Sequence, residues 1–315
     1  MYAGAGGGFV PPSALNFTGG GKHMSRKIDR EREITYLCFI LPALALYVLF
    51  FIGPVLMGCY YSLTNWSGIS SNVKFVGFQN YMKLAGDKVF LAALKFNGVY
   101  SLLLVLIIVV LSMILALCLN ANIKGRSFFR GALFFPAVLS MLTMGMVFNE
   151  IYTRALPNLG AALGIGFLEV NVLSGVNTAM YGILFVNVWQ GLAIPTILLL
   201  AGLQTVPQEM YEAAELDGAG KMKQFLAITL PFLLPVLSVV LILTLKDGLT
   251  IFDYIKALTE GGPAGRTKSL TYNIYNLGFK ELKFSYAISQ AMVVTAIVVA
   301  ISYVQIRMVN RKKVY

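Results

Sequence analysis

Residues 96–123 read FNGVYSLLLVLIIVVLSMILALCLNANI, twenty-eight consecutive positions without Asp, Glu, Lys or Arg. An α-helix advances about 1.5 Å per residue, so roughly 20 apolar residues are enough to cross the hydrocarbon core of a bilayer. This run is long enough to cross and too apolar to form one face of a water-soluble domain. Five further charge-free runs share that property: Ile34 to Val73, Gly131 to Asn149, Val170 to Gln208, Gln224 to Leu245 and Phe284 to Ile306. Trimmed where Gly, Asn, Ser or Thr cluster as loop residues, the runs place helices near 36–60, 98–119, 131–152, 179–202, 231–252 and 285–306. The expected fold class is all-α, a polytopic membrane protein with six transmembrane helices.

Composition agrees. Of 315 residues, 57% are hydrophobic and only 12% charged, with mean hydropathy +0.74, far too apolar to cover a globule with polar surface. A net charge of +11 would suggest nucleic acid in a soluble protein. In a membrane protein Lys and Arg instead collect in loops beside anionic headgroups, so membrane lipid is the expected partner and nucleic acid is not. Six spans put both termini on one side. With the termini inside, 14 of the 25 Lys and Arg fall in inner loops and 10 in outer ones, which predicts cytoplasmic N- and C-termini. The remaining one, Lys246, falls within the fifth span.

The first 33 residues read as a cytoplasmic tail. Seven glycines and two prolines among residues 1–21 oppose a helix there, and His23-Met24 before a basic run suits a junction that leaves 1–23 foreign to the fold. The run Arg26 to Arg32 precedes a long apolar segment, so Tyr36 to Tyr60 reads as an uncleaved signal anchor. Gly19-Gly20-Gly21-Lys22 lacks the Ser or Thr, the strand and the helix that a phosphate loop needs. His23 is the only histidine, which excludes a multi-histidine metal site and a triad built on a buried base. Cys38, Cys59 and Cys118 sit in apolar runs without metal-ligand spacing and read as packing residues. Neither catalytic residues, a bound cofactor nor a metal is expected.

Between the fourth and fifth spans, 203–230 forms the loop that carries function. Thr205 can cap a helix with Pro207 in its first turn, and Glu209, Glu212 and Glu215 recur along one side near its positive end. Gly218 and Gly220 can end that helix through positive φ or close backbone contact, and Lys221 onward can begin a second at an angle. An amphipathic connector lying on anionic headgroups would be repelled by these carboxylates. The loop therefore suits a protein partner.

Glu212-Ala213-Ala214, then Gly218, Ile228, Leu230 and Pro231, match the pattern EAA-x3-G-x9-I-x-L-P over 20 residues. This stretch resembles the signature of inner-membrane components of binding-protein-dependent transporters. Phe75-Val76-Gly77-Phe78-Gln79-Asn80-Tyr81, Gly261-Gly262-Pro263, Thr267, Tyr272-Asn273-Ile274-Tyr275 and Tyr286-Ala287 are similar to the sugar-importing, maltose and glycerol-phosphate branch, so the likeness extends over about 34–310. It implies a permease domain over 34–310 in the bacterial cytoplasmic (inner) membrane. Two homologous permeases would share one pore, with a cytoplasmic ATPase dimer holding ATP and Mg and an extracytoplasmic sugar-binding protein delivering substrate. It also implies that the loop docks on the ATPase through Glu209, Glu212, Ala213, Ala214, Asp217 and Gly218. The chain lacks the extra N-terminal spans and large outer insertion of the larger maltose-type subunits.

A sugar path needs hydrogen-bonding groups and aromatic faces directed into the bundle. Span four offers Tyr181, Asn187, Trp189 and Gln190, with Asn187 and Gln190 on one face; helix-to-helix bonding is the competing role for them. In span five, Lys246 and Asp247 point about 100° apart and do not form an i,i+4 bridge. Glu150 and Arg154 have the spacing of a structural ion pair. The outer segments 64–96 and 253–283 hold nine Lys and Arg against four Asp and Glu, which suggests an acidic sugar. An ion-coupled secondary transporter is the alternative, but it needs intramembrane carboxylates and repeated halves. Asp247 is the only acidic residue deep in a span, and no repeat is evident. A membrane-embedded enzyme would need paired catalytic groups facing one cavity, and the chain supplies none.

Overall fold

The computed structural model describes residues 35–70, 72–121 and 124–311, with side chains to residue 307. The expectations for the N-terminal tail over 1–33 lie outside the described residues. The chain divides into two compact units, 1–57 and 58–315. Helix α1 (Thr35–Ser62) has mean hydropathy 2.4, and its apolar window buries no residue, the character of a helix solvated by hydrocarbon.

In the second unit an amphipathic helix α2 (Gln79–Gly86) leads into α3 (Lys88–Asn120). Asp87 caps α3 by accepting hydrogen bonds from the backbone N–H groups of Val89 and Phe90 at 2.8 and 3.1 Å. Burial acts to raise the Asp87 pKa, but hydrogen bonds from Tyr286 Oη and these two amides hold it below the usual carboxylate range. Helix α3 starts ten residues before the expected span because Lys88 and Lys95 interrupt the charge-free run without interrupting the helix. Its buried positions Ala93, Asn97, Tyr100, Leu104, Ile108, Ser112, Ala116 and Leu119 recur every three or four residues, the periodicity of one helical face.

The segment expected to be the third span departs most from expectation. It consists of α4 (Arg126–Val138) and α5 (Met141–Leu163), bent by 95°. Leu139 and Ser140 take extended backbone angles after Pro136, interrupting the hydrogen-bond ladder. The fourth is a milder case: α6 (Ala179–Gly191) and α7 (Ala193–Leu203) meet at 44°. Pro195 lacks the N–H that would bond the Gly191 carbonyl, and its ring crowds that group.

Helix α8 (Gln208–Leu216) is followed by one short turn at Lys221–Gln224, a π-helical turn at Phe225–Thr229 and α9 (Leu230–Leu249). The expected second loop helix is thus continuous with the fifth span. At the join the Leu230 N–H bonds the Phe225 carbonyl, five residues back, which widens the helix ahead of Pro231. Helices α10 (Asp253–Leu258) and α11 (Leu270–Tyr275) lead to α12 (Phe284–Arg311).

Helix α3 packs on both α7 and α9. One core cluster joins Ala116 and Leu119 to Leu199, Leu203, Leu233 and Val240. Another joins Tyr100, Leu104 and Ile108 to Ile183, Val186, Tyr254 and Ile255. At Gly248 an added Cβ would stand 2.8 Å from the Ser101 Cα, so only glycine allows α9 this close to α3. Asn97 secures the crossing: its Nδ2 donates to the carbonyls of Gly248 (3.1 Å) and Leu249 (2.9 Å), and its Oδ1 accepts from the Leu270 N–H at 2.8 Å.

Among the described residues, four helices are long and apolar enough to cross a membrane, and two bent pairs bring the number to six when each counts as one span. No strand forms among the described residues, where β-pairing is limited to the bridge between Thr64 and Phe75. Cys38, Cys59 and Cys118 are free and exposed on apolar helix surface, not packed in the core as their setting suggested.

Candidate functional site: a polar cleft and an exposed loop helix

Two regions concentrate the residues singled out above. The first is a cleft of about 410 Å³ between α3, the α4–α5 break, α6 and the junction of α9 with α10. Its polar lining comes from Asn187, Gln190, Thr244, Lys246, Asp247, Thr250, Asp253 and Tyr254. Four of the six path candidates therefore meet here. The other two stand off the cleft: Tyr181 is exposed, and Trp189 packs edge-on against Phe148 at 5.4 Å.

Gln190 is 5% exposed and joins three elements. Its Nε2 donates at 2.6 Å to the Leu139 carbonyl at the α4–α5 break, and its Oε1 accepts from Tyr254 Oη. The break leaves a carbonyl without a helical partner, and burying such a group unpaired costs about 1–3 kcal/mol. Asn187 donates through Nδ2 to Tyr100 Oη at 2.9 Å. Asn149 ties α5 to the end of α10, donating to the carbonyls of Leu258 (2.9 Å) and Ala257 (3.3 Å). Asn97, Asn149 and Tyr254 were missed by the sequence reading. An asparagine inside an apolar helix is the signal that could have found the first two, since lipid cannot satisfy its amide.

Lys246 and Asp247 do meet, Nζ to Oδ1 at 3.5 Å, with both side chains more than half exposed. The flexible lysine stem spans the angular offset that excluded a regular helical bridge. The cleft carries one lysine against two aspartates, Asp247 and Asp253, and none of the nine cationic residues of the outer segments lines it. Lys256 is engaged by Glu260, and Lys283 by Glu281 at 2.7 Å. The Glu150–Arg154 ion pair forms as its spacing suggests, at 3.1 Å.

The second region is α8. Its N-cap position is Pro207, not Thr205, whose hydroxyl instead donates to the Gly202 carbonyl at the end of α7 (2.7 Å). The C-terminus closes with Gly218 N–H bonded to the Glu215 carbonyl (3.0 Å) and Ala219 N–H to the Ala214 carbonyl (2.8 Å). This Schellman turn requires left-handed backbone at Gly218, which has φ +73°. Gly220 remains extended and starts the next turn. Tyr211 Oη lies 2.8 Å from Thr229 Oγ1, and Gln224 Nε2 donates to the Ala219 carbonyl at 3.0 Å. These contacts brace α8 against the start of α9.

Glu209, Glu212, Ala213, Asp217 and Gly218 are exposed, with Ala214 half-buried. Leu216 is 90% exposed beside them. Glu215 is engaged by Lys221 at 2.9 Å, and that hydrogen bond and charge hold its carboxyl below the usual range. Helix α8 is thus braced at its base and presents carboxylates and one apolar side chain at its surface.

Residues 90–314 match the family model described as binding-protein-dependent transport system inner membrane component. Over 276 residues the chain is 45% identical to the multiple sugar-binding transport system permease protein MsmF of Streptococcus mutans, covering 88% of this chain and 95% of that one. It is 36% identical to the trehalose/maltose transport system permease protein MalF of Thermococcus litoralis, covering 87% and 92%. A solved bacterial alginate ABC transporter, in complex with an alginate pentasaccharide-bound periplasmic protein, contains a chain of the same fold: TM-score 0.78, 20% identity, coverage 90% and 96%.

Proposed function

This chain belongs to the family of binding-protein-dependent transport system inner membrane components, and from that premise we propose that it is the permease subunit of an ATP-driven importer of a sugar or oligosaccharide. The observation that carries the reading is 45% identity over nearly the whole length of a permease named for multiple-sugar transport. In this reading each bent helix pair is one span, giving six, with both termini in the cytoplasm of a bacterium and the spans in its inner membrane. A second permease completes the pore, and an extracytoplasmic binding protein supplies the sugar. A separate ATPase dimer holds ATP and Mg and docks on α8 through Glu209, Glu212, Ala213, Ala214, Asp217 and Gly218.

The architecture supports a mechanical route. Tyr211 and Thr229 join α8 to the start of the helix whose far end presents Lys246 and Asp247 to the cleft. Twenty residues of α9 extend about 30 Å, so movement imposed on α8 reaches the cleft along one continuous helix. The expectation of an acidic sugar is left with Lys246 alone, offset by Asp247 and Asp253, and the cleft's charge favours an uncharged carbohydrate.

The test is purification from the native host followed by reconstitution. An ATPase and a second permease should accompany the chain, and uptake should require ATP and the binding protein. Transport by the solitary chain without ATP would overturn the proposal.

A further inference from the structure

The cleft does not end at its polar lining. Phe252, at its edge, has its ring centroid 5.3 Å from that of Tyr275, which in turn lies 5.4 Å from Phe279. Tyr275 directly precedes the π-helical turn at Asn276–Lys280 and Phe279 lies within it, four residues on, their rings tilted by 34°. Such turns inside helices are frequent at functional sites. Buried Tyr272 backs the row, its ring 6.4 Å from that of Tyr275, and Lys280 Nζ stands 5.9 Å over the Tyr272 ring. Phe279 is 67% exposed, and on the side away from Tyr275 its ring meets Phe284 edge-on at 5.4 Å. In the same turn the Asn276 Oδ1 is buried without a hydrogen-bond partner.

A row of rings continuous with a polar cleft, and flanked by amide and ammonium groups, matches the two-sided chemistry of a sugar. Pyranose rings present C–H faces that pack on aromatic faces, and their hydroxyls need hydrogen-bonding neighbours. We propose that Phe279, Tyr275 and Phe252 form a carbohydrate-binding track that receives the trailing sugar units of an oligosaccharide whose leading unit occupies the cleft. This rests on the sugar-importer reading above and adds where a longer substrate lies and what selects for its length.

The experiment uses the complete complex of this chain, its second permease, ATPase and binding protein in proteoliposomes. The KM for uptake is measured for the shortest and the longest neutral oligosaccharide that the wild-type complex carries. Phe279→Ala should raise KM about 3–10-fold for the longest substrate and leave the shortest unchanged, with Phe279→Trp restoring the wild-type value. Phe279 is exposed and gives up only its ring contacts with Tyr275 and Phe284 in this variant, and complex yield and thermal stability check its folding. An equal effect on both lengths, or no effect, overturns the track. Reduced yield in the membrane or loss of the second permease would assign Phe279 to lipid or to the subunit interface, and equally overturns it. A wild-type complex that carries no carbohydrate defeats the underlying reading as well, an outcome distinct from length-blind transport.

Discussion

Replacing Gln190 by leucine separates a structural role for the cleft amide from a substrate-binding one. Leucine keeps most of the side-chain volume but removes the donor to the Leu139 carbonyl and the acceptor for Tyr254 Oη. Interhelical hydrogen bonds in membranes are worth about 0.6–2 kcal/mol each. Loss of the pair therefore destabilises by about 1–4 kcal/mol, reduced where water enters the cleft to reach either group. The 95° bend has no other side-chain hydrogen bond at Leu139 among the described residues, so the loss is concentrated at the α4–α5 joint. The purified complex in detergent should show an apparent melting temperature lowered by several degrees, measured by fluorescence-detected gel filtration. Uptake per folded complex should fall modestly. An unchanged melting temperature combined with abolished uptake would refute the clamp and make Gln190 a substrate ligand.

Gly218→Val places a β-branched residue at φ +73° with open space around it, so the expected cost is backbone strain of about 1–2 kcal/mol; ATP hydrolysis should uncouple from transport while membrane insertion persists, and normal coupling would count against docking at α8. Asn97→Leu leaves two carbonyls and one N–H without their buried partner and should destabilise by about 2–5 kcal/mol, seen as poor recovery of folded complex; wild-type yield would contradict its role as the brace between α3 and α9. Lys246→Met should leave uptake of a neutral oligosaccharide within about twofold, since one exposed ion pair contributes little, and a selective loss of uronic oligosaccharide uptake would restore the acidic-substrate expectation. Glu212→Lys should weaken co-purification of the ATPase while leaving the second permease bound, and unchanged ATPase recovery would remove Glu212 from the docking surface.

Apolar run length was enough to locate the four long apolar helices and the two bent helix pairs, because solvation by hydrocarbon depends on composition summed along a helix and not on its neighbours. The helical loop over 203–230 was legible too. A proline, spaced carboxylates and a left-handed glycine are local devices, and α8 with its Schellman turn at Gly218 follows from them. Local rules could not foresee the right-angled break at Leu139 and Ser140, which becomes tenable when Gln190, 51 residues away, supplies the missing donor. Nor could they separate Asn187 and Gln190, which enter the cleft, from Trp189 and Tyr181, which do not; helix periodicity gives relative angles but not which side faces α3 and α9. The pairing of Lys246 with Asp247, the burial of Asn97 at Gly248 and the ring row from Phe252 to Phe279 likewise depend on how closely separate helices approach. Hydropathy along the chain decided that it crosses the membrane, while the polar groups left unpaired by broken helices, and the partners that distant helices offer them, decided where the cleft lies.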